Sequence, residues 1–166
     1  LEMMVNNLRA EIVAYLRRIS VHELNPDLSK RLFAYTAQAD DLERLCNHLL
    51  PVADLIRIKR RQRIDFSARA MEELAEIEAM VGANLLDAEI LMANGAGGEK
   101  ERLLQIAQRE ERIDEAVKQA REAHLVRFHQ GVCQAEAGPI FLEMLIHLER
   151  ISDHCQNIAD DAAGLS

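Results

Sequence analysis

Residues 41–54, DLERLCNHLLPVAD, and residues 147–160, HLERISDHCQNIAD, are two copies of one charged motif. Aligned without gaps, Leu42, Glu43, Arg44, His48, Ala53 and Asp54 match Leu148, Glu149, Arg150, His154, Ala159 and Asp160. Leu45/Ile151 and Val52/Ile158 keep apolar character, and Asn47/Asp153 keeps shape while changing charge. A chain that carries the same helical unit twice is built around an internal repeat. The two copies can therefore be compared position by position.

Both copies lie in segments of helical period. Leu1, Met4, Val5, Leu8, Ile12, Tyr15, Leu16 and Ile19 form a first stripe that ends near Ser20, before the Asn25-Pro26-Asp27 breaker. A second helix is expected from about Leu28 to Arg60, capped by Asp27 or Ser29, with Leu32, Tyr35, Ala39, Leu42, Leu45, Leu49, Val52 and Ile56 inward. Pro51 should bend it without ending it. A third follows an N-cap at Asp65 or Ser67 and carries Met71, Leu74, Ile77, Val81, Leu85, Ala88 and Met92. Asn94-Gly95-Ala96-Gly97-Gly98 stops it. A fourth runs from Glu99 to about Phe128, ended by the Gly131 region, and a fifth from near Pro139 to Ala163. The expected fold class is all-α: long antiparallel helices in a bundle.

The repeat divides these helices unevenly. If helix one pairs with two as four pairs with five, helix three has no counterpart. Two three-helix units are expected, residues 1–64 and 65–166, the first lacking its first helix and the whole being a piece of a longer chain. Apolar positions such as Leu8, Tyr15, Leu42 and Leu49 would then lack a neighbour, and a homo-oligomer is one way to cover them.

Composition agrees. With 166 residues, three prolines, seven glycines and no tryptophan, the chain suits one domain of long helices. A net charge of −8 argues against a nucleic-acid partner, because phosphates repel an acidic surface. No apolar run approaches the ~20 residues of a membrane span, and the N-terminus has no signal-peptide pattern. Cys46, Cys133 and Cys155 stand singly, as reduced thiols filling small apolar spaces rather than as a disulfide framework.

The chemistry, if any, is carboxylate chemistry. Glu149 and Asp153, four apart, share one helix face; Glu111 and Asp114, three apart, share another, with Glu110 beside them. Antiparallel packing of helices four and five would set the two pairs against each other. Opposed carboxylates repel unless a cation or proton intervenes, and oxygen ligands on facing helices are how bundles hold hard metal ions. A solvated acidic face with Arg150 as partner is the alternative. His147 and His154 flank the cluster, although His48, His124, His129 and His154 read first as packing or hydrogen-bonded residues. In the first unit the equivalent positions are Glu43, Asn47, Met4 and Asn6, with one carboxylate among them. Arg57, Lys59, Arg60, Arg61 and Arg63 make a basic run at the end of helix two. It is either a solvated helix C-terminus or a contact with a membrane surface or other anionic partner. There is no P-loop, GxSxG, HExxH or CxxC. A di-iron carboxylate bundle with redox activity would need Glu-x-x-His on two helices, which this chain lacks.

The motif Leu148-Glu149-Arg150-Ile151-Ser152-Asp153-His154, continued by Asn157-Ile158-Ala159, resembles the ExxxD signature of the PhoU family. Glu111-Arg112-Ile113-Asp114, His124-Leu125-Val126-Arg127, Gly131-Val132-Cys133 and Phe141-Leu142-Glu143 are similar to the PhoU-like C-terminal domain of bacterial sodium/phosphate cotransporters. In the first unit, Glu11 to Leu16 and Asp41 to Arg44 fit the same kind of domain. The resemblance implies a pair of antiparallel three-helix bundles. It also implies a non-enzymatic, regulatory role in phosphate uptake on the cytoplasmic side of the bacterial inner membrane, next to the transporter portion of the same parent chain. It places Glu149, Asp153, Glu111 and Asp114 at a metal-binding face, for a divalent metal or an iron cluster. A free-standing PhoU-like regulator of a phosphate transporter and its sensor kinase is the competing expectation.

Overall fold

The computed structural model describes residues 2–21, 24–94 and 99–164. Five helices follow one another: α1 (Glu2–Ser20), α2 (Pro26–Gln62), α3 (Ala68–Asn94), α4 (Lys100–His129) and α5 (Ala137–Ala163). No strand occurs among the described residues. The all-helical expectation is met. The Gly95–Gly98 stop lies outside the described residues.

The helix ends follow local chemistry. α2 begins two residues before the expected Leu28, because Asn25 is its cap: Leu28 N–H donates to Asn25 Oδ1 at 2.8 Å. Pro26 then sits in the first turn, where its missing N–H costs nothing. Pro51 stays inside α2, as expected. α3 takes Ser67 as its N-terminal acceptor, with Ala70 N–H 3.2 Å from Ser67 Oγ. α2 closes in a Schellman turn: Ile64 N–H reaches Lys59 C=O at 3.0 Å and Arg63 N–H reaches Arg60 C=O at 3.3 Å. Arg63 occupies the left-handed position there, at φ 53°.

α5 is the hub. It packs against α2, α3 and α4, whereas α1 packs against α2 alone. Pairings such as Arg121–Glu149 and His124–Phe141 show α4 and α5 antiparallel, one number rising as the other falls. The main core gathers Leu74, Ile77 and Val81 of α3, Ile113 and Val117 of α4, and Phe141, Leu145, Ile151, Cys155 and Ile158 of α5. Cys155 fills space as expected, and its burial pushes the thiol up to about 12. Gly138 lets α5 approach α4 closely, since a Cβ there would lie 3.0 Å from His124 Nε2.

The two repeats are unequally buried. Tyr35, Leu42 and Leu49 are 45%, 36% and 39% exposed, while their partners Phe141, Leu148 and Cys155 are 1%, 5% and 0% exposed. α3 covers one flank of α5; among the described residues no helix covers the matching flank of α2. Leu148→Ala should therefore cost about 2–5 kcal/mol as a core truncation. Leu42→Ala, at the equivalent position, should cost under about 1 kcal/mol. Urea denaturation of the two variants measures the difference, and equal losses would contradict the unequal packing.

Candidate functional site

Helical period decides which acids meet. Glu110 and Asp114 are four apart on α4 and project from one face toward α5. There they approach Asp153, so that one oxygen from each of the three lies within 4.8 Å of the others. Glu110 and Asp153 are half-buried and Asp114 is exposed. Of the four acids singled out in the sequence, Asp114 and Asp153 come together. Glu111 lies about 100° round the helix from Glu110 and is exposed. Glu149 accepts from Arg121 of α4 at 2.7 Å. Asp153 also has a cation on its own helix, Arg150 at 2.8 Å.

The charges strain one another. Burial raises the Glu110 pKa first, followed by the field of Asp114, Asp153, Glu111 and Glu149. Asp114 is raised by burial and then by Glu149 and Asp153, with Arg150 and Arg121 opposing. Three carboxylate oxygens on two rigid helices fit a hard cation in donor type, and a cation would relieve the repulsion. The first repeat has no such arrangement. Glu43 lies 3.6 Å from Arg9, and Asn47, Asn6 and Met4 are exposed and uncharged. In both repeats an arginine of the neighbouring helix thus faces the motif glutamate: Arg9 for Glu43, Arg121 for Glu149.

A second polar cluster sits where α2 crosses α5. His154 Nδ1 lies 2.7 Å from Asp41 Oδ1, and His48 Nδ1 lies 3.0 Å from His147 Nδ1. Residues 41 and 147 are equivalent in the repeat, and so are 48 and 154. The two contacts are therefore exchanged by the 106-residue offset, as expected of helices crossing antiparallel at a pseudo-two-fold axis. His48 and His154 stack on each other with ring centroids 5.5 Å apart. Asn157 Nδ2 also donates to Asp41. At this crossing one repeat answers its histidine with a carboxylate and the other with a second histidine. A hydrogen bond between two facing Nδ1 atoms requires one ring to donate and the other to accept. Burial lowers the His48 pKa first, then the fields of His147, His154 and Arg150, while Asp153 raises it. The sequence reading of His48 and His154 as hydrogen-bonded residues holds; their meeting with His147 was missed. The signal was present in the repeat: pairs 41/154 and 48/147 have the same residue-number sum.

A third network was not legible. Asn84 and Ser152 are fully buried, and Asn84 Nδ2 donates to Ser152 Oγ at 3.0 Å. Arg109 Nε donates to Asn84 Oδ1 at 2.7 Å, and Arg109 and Arg102 both grip Asp87. Arg102 reaches Glu99 at 3.1 Å. This chain of partners ties α3, α4 and α5 together and satisfies every polar group it buries there. At the other end of the bundle Arg127 grips both oxygens of Glu73, at 2.8 and 2.9 Å, on α3.

A family model, the PhoU domain, matches residues 69–162, more than half of the chain and nearly all of α3, α4 and α5. The chain belongs to the PhoU domain family. No match was found among curated proteins or among solved structures. PhoU domains are helical bundles, and the family is regulatory rather than enzymatic, with a role in phosphate transport regulation. The matched span contains the whole carboxylate group and both arginine–acid networks.

The histidine crossing has a defined pH response. His48 has a folded pKa below its ordinary value, so the unfolded chain takes up its proton first as pH falls. The resulting loss of stability begins near the unfolded value of 6.5 and is complete below the folded value. The raised carboxylates, Glu110 and Asp114, act in the opposite sense, adding stability as pH falls through their folded values. Thermal unfolding of wild type and His48→Gln between about pH 7 and pH 5 tests this. The midpoint of the variant should fall less on acidification, and parallel profiles would show that His48 takes up its proton alike in the folded and unfolded chain.

Proposed function

We propose that this PhoU domain is the regulatory domain of a sodium-dependent phosphate cotransporter, lying on the cytoplasmic side of a bacterial inner membrane beside the transporter portion of its parent chain. Family membership supports the coarser part, regulation of phosphate transport. The finer part rests on the reading of the sequence alone, in which the run from Glu111 to Glu143 resembles the C-terminal domain of such cotransporters. The residues of that run are structural partners. His124 is buried against Phe141 at 5.2 Å between ring centroids, and Arg127 holds Glu73 across to α3. No helix among the described residues is long and apolar enough to cross a membrane; in this reading the spans belong to the rest of the parent chain. Sequencing the gene upstream of Leu1 tests it. About eight or more hydrophobic spans are expected, and deletion of residues 2–164 should alter sodium-dependent phosphate uptake in cells. A short soluble upstream segment would instead favour a free-standing regulator of a transporter and its kinase.

The regulatory input in this reading is a divalent cation or an iron centre held by Glu110, Asp114 and Asp153, with Glu149 and Glu111 at its edge. The supporting observation is the asymmetry of the repeats: three convergent carboxylates in the second, one arginine-paired glutamate in the first. Asp153→Asn gives the second copy the residue the first already carries. Calorimetric titration with Mn²⁺ or Fe²⁺ should show binding by wild type and a loss of about tenfold or more in Asp153→Asn. The fold should persist, because Asn is isosteric with Asp. Equal binding by both proteins, or none by either, would leave the acids as a solvated face.

A further inference from the structure

The turn that ends α2 holds cations the fold does not use. Arg57 lies 2.7 Å from Asp54, and Lys59 sits over the Phe66 ring at 4.9 Å from its centroid. Arg60, Arg61 and Arg63 are exposed, with no side-chain ion pair or hydrogen bond among the described residues. In a chain of net charge −8, this turn concentrates three such guanidinium groups within four residues.

The usual explanation for such a run is complementarity with the negative end of a helix. Such cations also stand in the last turns of α1 and α4, where Arg17, Arg18, Arg127 and His129 lie. The explanation does not reach Arg63, which lies past the last turn of α2. That residue is the only non-glycine with positive φ among the described residues, at the Schellman position that glycine fills best. After α4 and α5 the chain uses glycine in the same left-handed conformation, Gly131 at φ 70° and Gly164 at φ 69°. At the end of α2 it accepts an unfavourable backbone conformation and keeps a charge there.

The neighbourhood is amphipathic. Asp65 N–H reaches Gln134 Oε1 at 3.4 Å, which joins this turn to the 130–136 loop. That loop carries Val132, 59% exposed, one turn from Phe128, 46% exposed. One end of the bundle thus combines unpaired guanidinium groups with exposed apolar side chains. A phospholipid surface accepts both, through headgroup phosphates and the acyl boundary beneath them.

We propose that this end of the bundle, with Arg60, Arg61 and Arg63 on headgroup phosphates and Val132 and Phe128 against the acyl boundary, is a docking face for an anionic phospholipid bilayer. The proposal does not depend on which transporter the domain serves. Flotation of the chain with phosphatidylcholine vesicles, with and without phosphatidylglycerol, tests it. Binding should require the anionic lipid and weaken with added salt. The variant R60E/R61E/R63G should bind about 100-fold more weakly, and Arg63→Gly alone about fivefold more weakly. Arg63→Gly suits the backbone and should keep a thermal midpoint at or above that of wild type, so its lost binding cannot be ascribed to misfolding. R17E/R18E, the same kind of charge reversal at the end of α1, should bind like wild type. No binding, equal binding to neutral vesicles, or equal loss in R60E/R61E/R63G and R17E/R18E would overturn the proposal. So would release by inorganic phosphate but not by chloride at matched ionic strength, which would make the turn a free-anion site.

Discussion

Burying α5 on three sides is the constraint the rest of this molecule obeys. A helix with neighbours on three flanks must be apolar around most of its girth, and any polar group it buries must find a partner. α5 meets the first demand with Phe141, Leu145, Leu148, Ile151, Cys155 and Ile158. It meets the second on separate flanks: Ser152 against Asn84 of α3, His154 against Asp41 of α2, and Glu149 against Arg121 of α4. Each polar contact fixes the height of one neighbouring helix along α5. Leucines alone would permit sliding; a buried hydrogen bond does not.

The carboxylate group is a by-product of that registration. Once Arg121 meets Glu149 and His124 meets Phe141, the antiparallel run brings Asp114 level with Asp153 and carries Glu110 in from one turn away. Burial, and after it repulsion, then raises Glu110 and Asp114 from their ordinary values. The bundle tolerates the repulsion because Arg150 and Arg121 offset part of it and because Asp114 remains exposed to water. The first repeat lacks the problem altogether, having replaced the second acid of the motif with Asn47.

The α2–α5 crossing shows how a repeated sequence diverges in chemistry while keeping its geometry. Positions 48 and 154 remain histidine and stack on each other, so the shape of the contact is preserved. Positions 41 and 147 differ, and with them the charge each histidine faces. One half of the crossing sets a carboxylate against its histidine and the other sets a second imidazole there. The His48 pKa lies below its ordinary value there, from burial first and then from the fields of His147, His154 and Arg150.

The five helices, their order and most of their ends could be read directly from the sequence, because an apolar stripe of period 3.6 and a stop such as Gly or Asn-Pro are local signals. So could the helical setting of the two Leu-Glu-Arg copies and the membership of Asp114 and Asp153 in one acidic group, whereas the packing of α2 on α5 could not. What the sequence left open turned on rotation and contact. Glu110 and Glu111 differ by one residue and by about 100° of helix; only the packing of α4 on α5 selected Glu110. Glu149 carried the signature of a ligand, yet an arginine 28 residues away met it. Asp87, Arg102 and Arg109 carried no signal in sequence, since a buried ion-pair network looks like any surface charge until a neighbour covers it. Local periodicity is written in consecutive residues, whereas the partner of a charge is decided by which helix faces it and at what height.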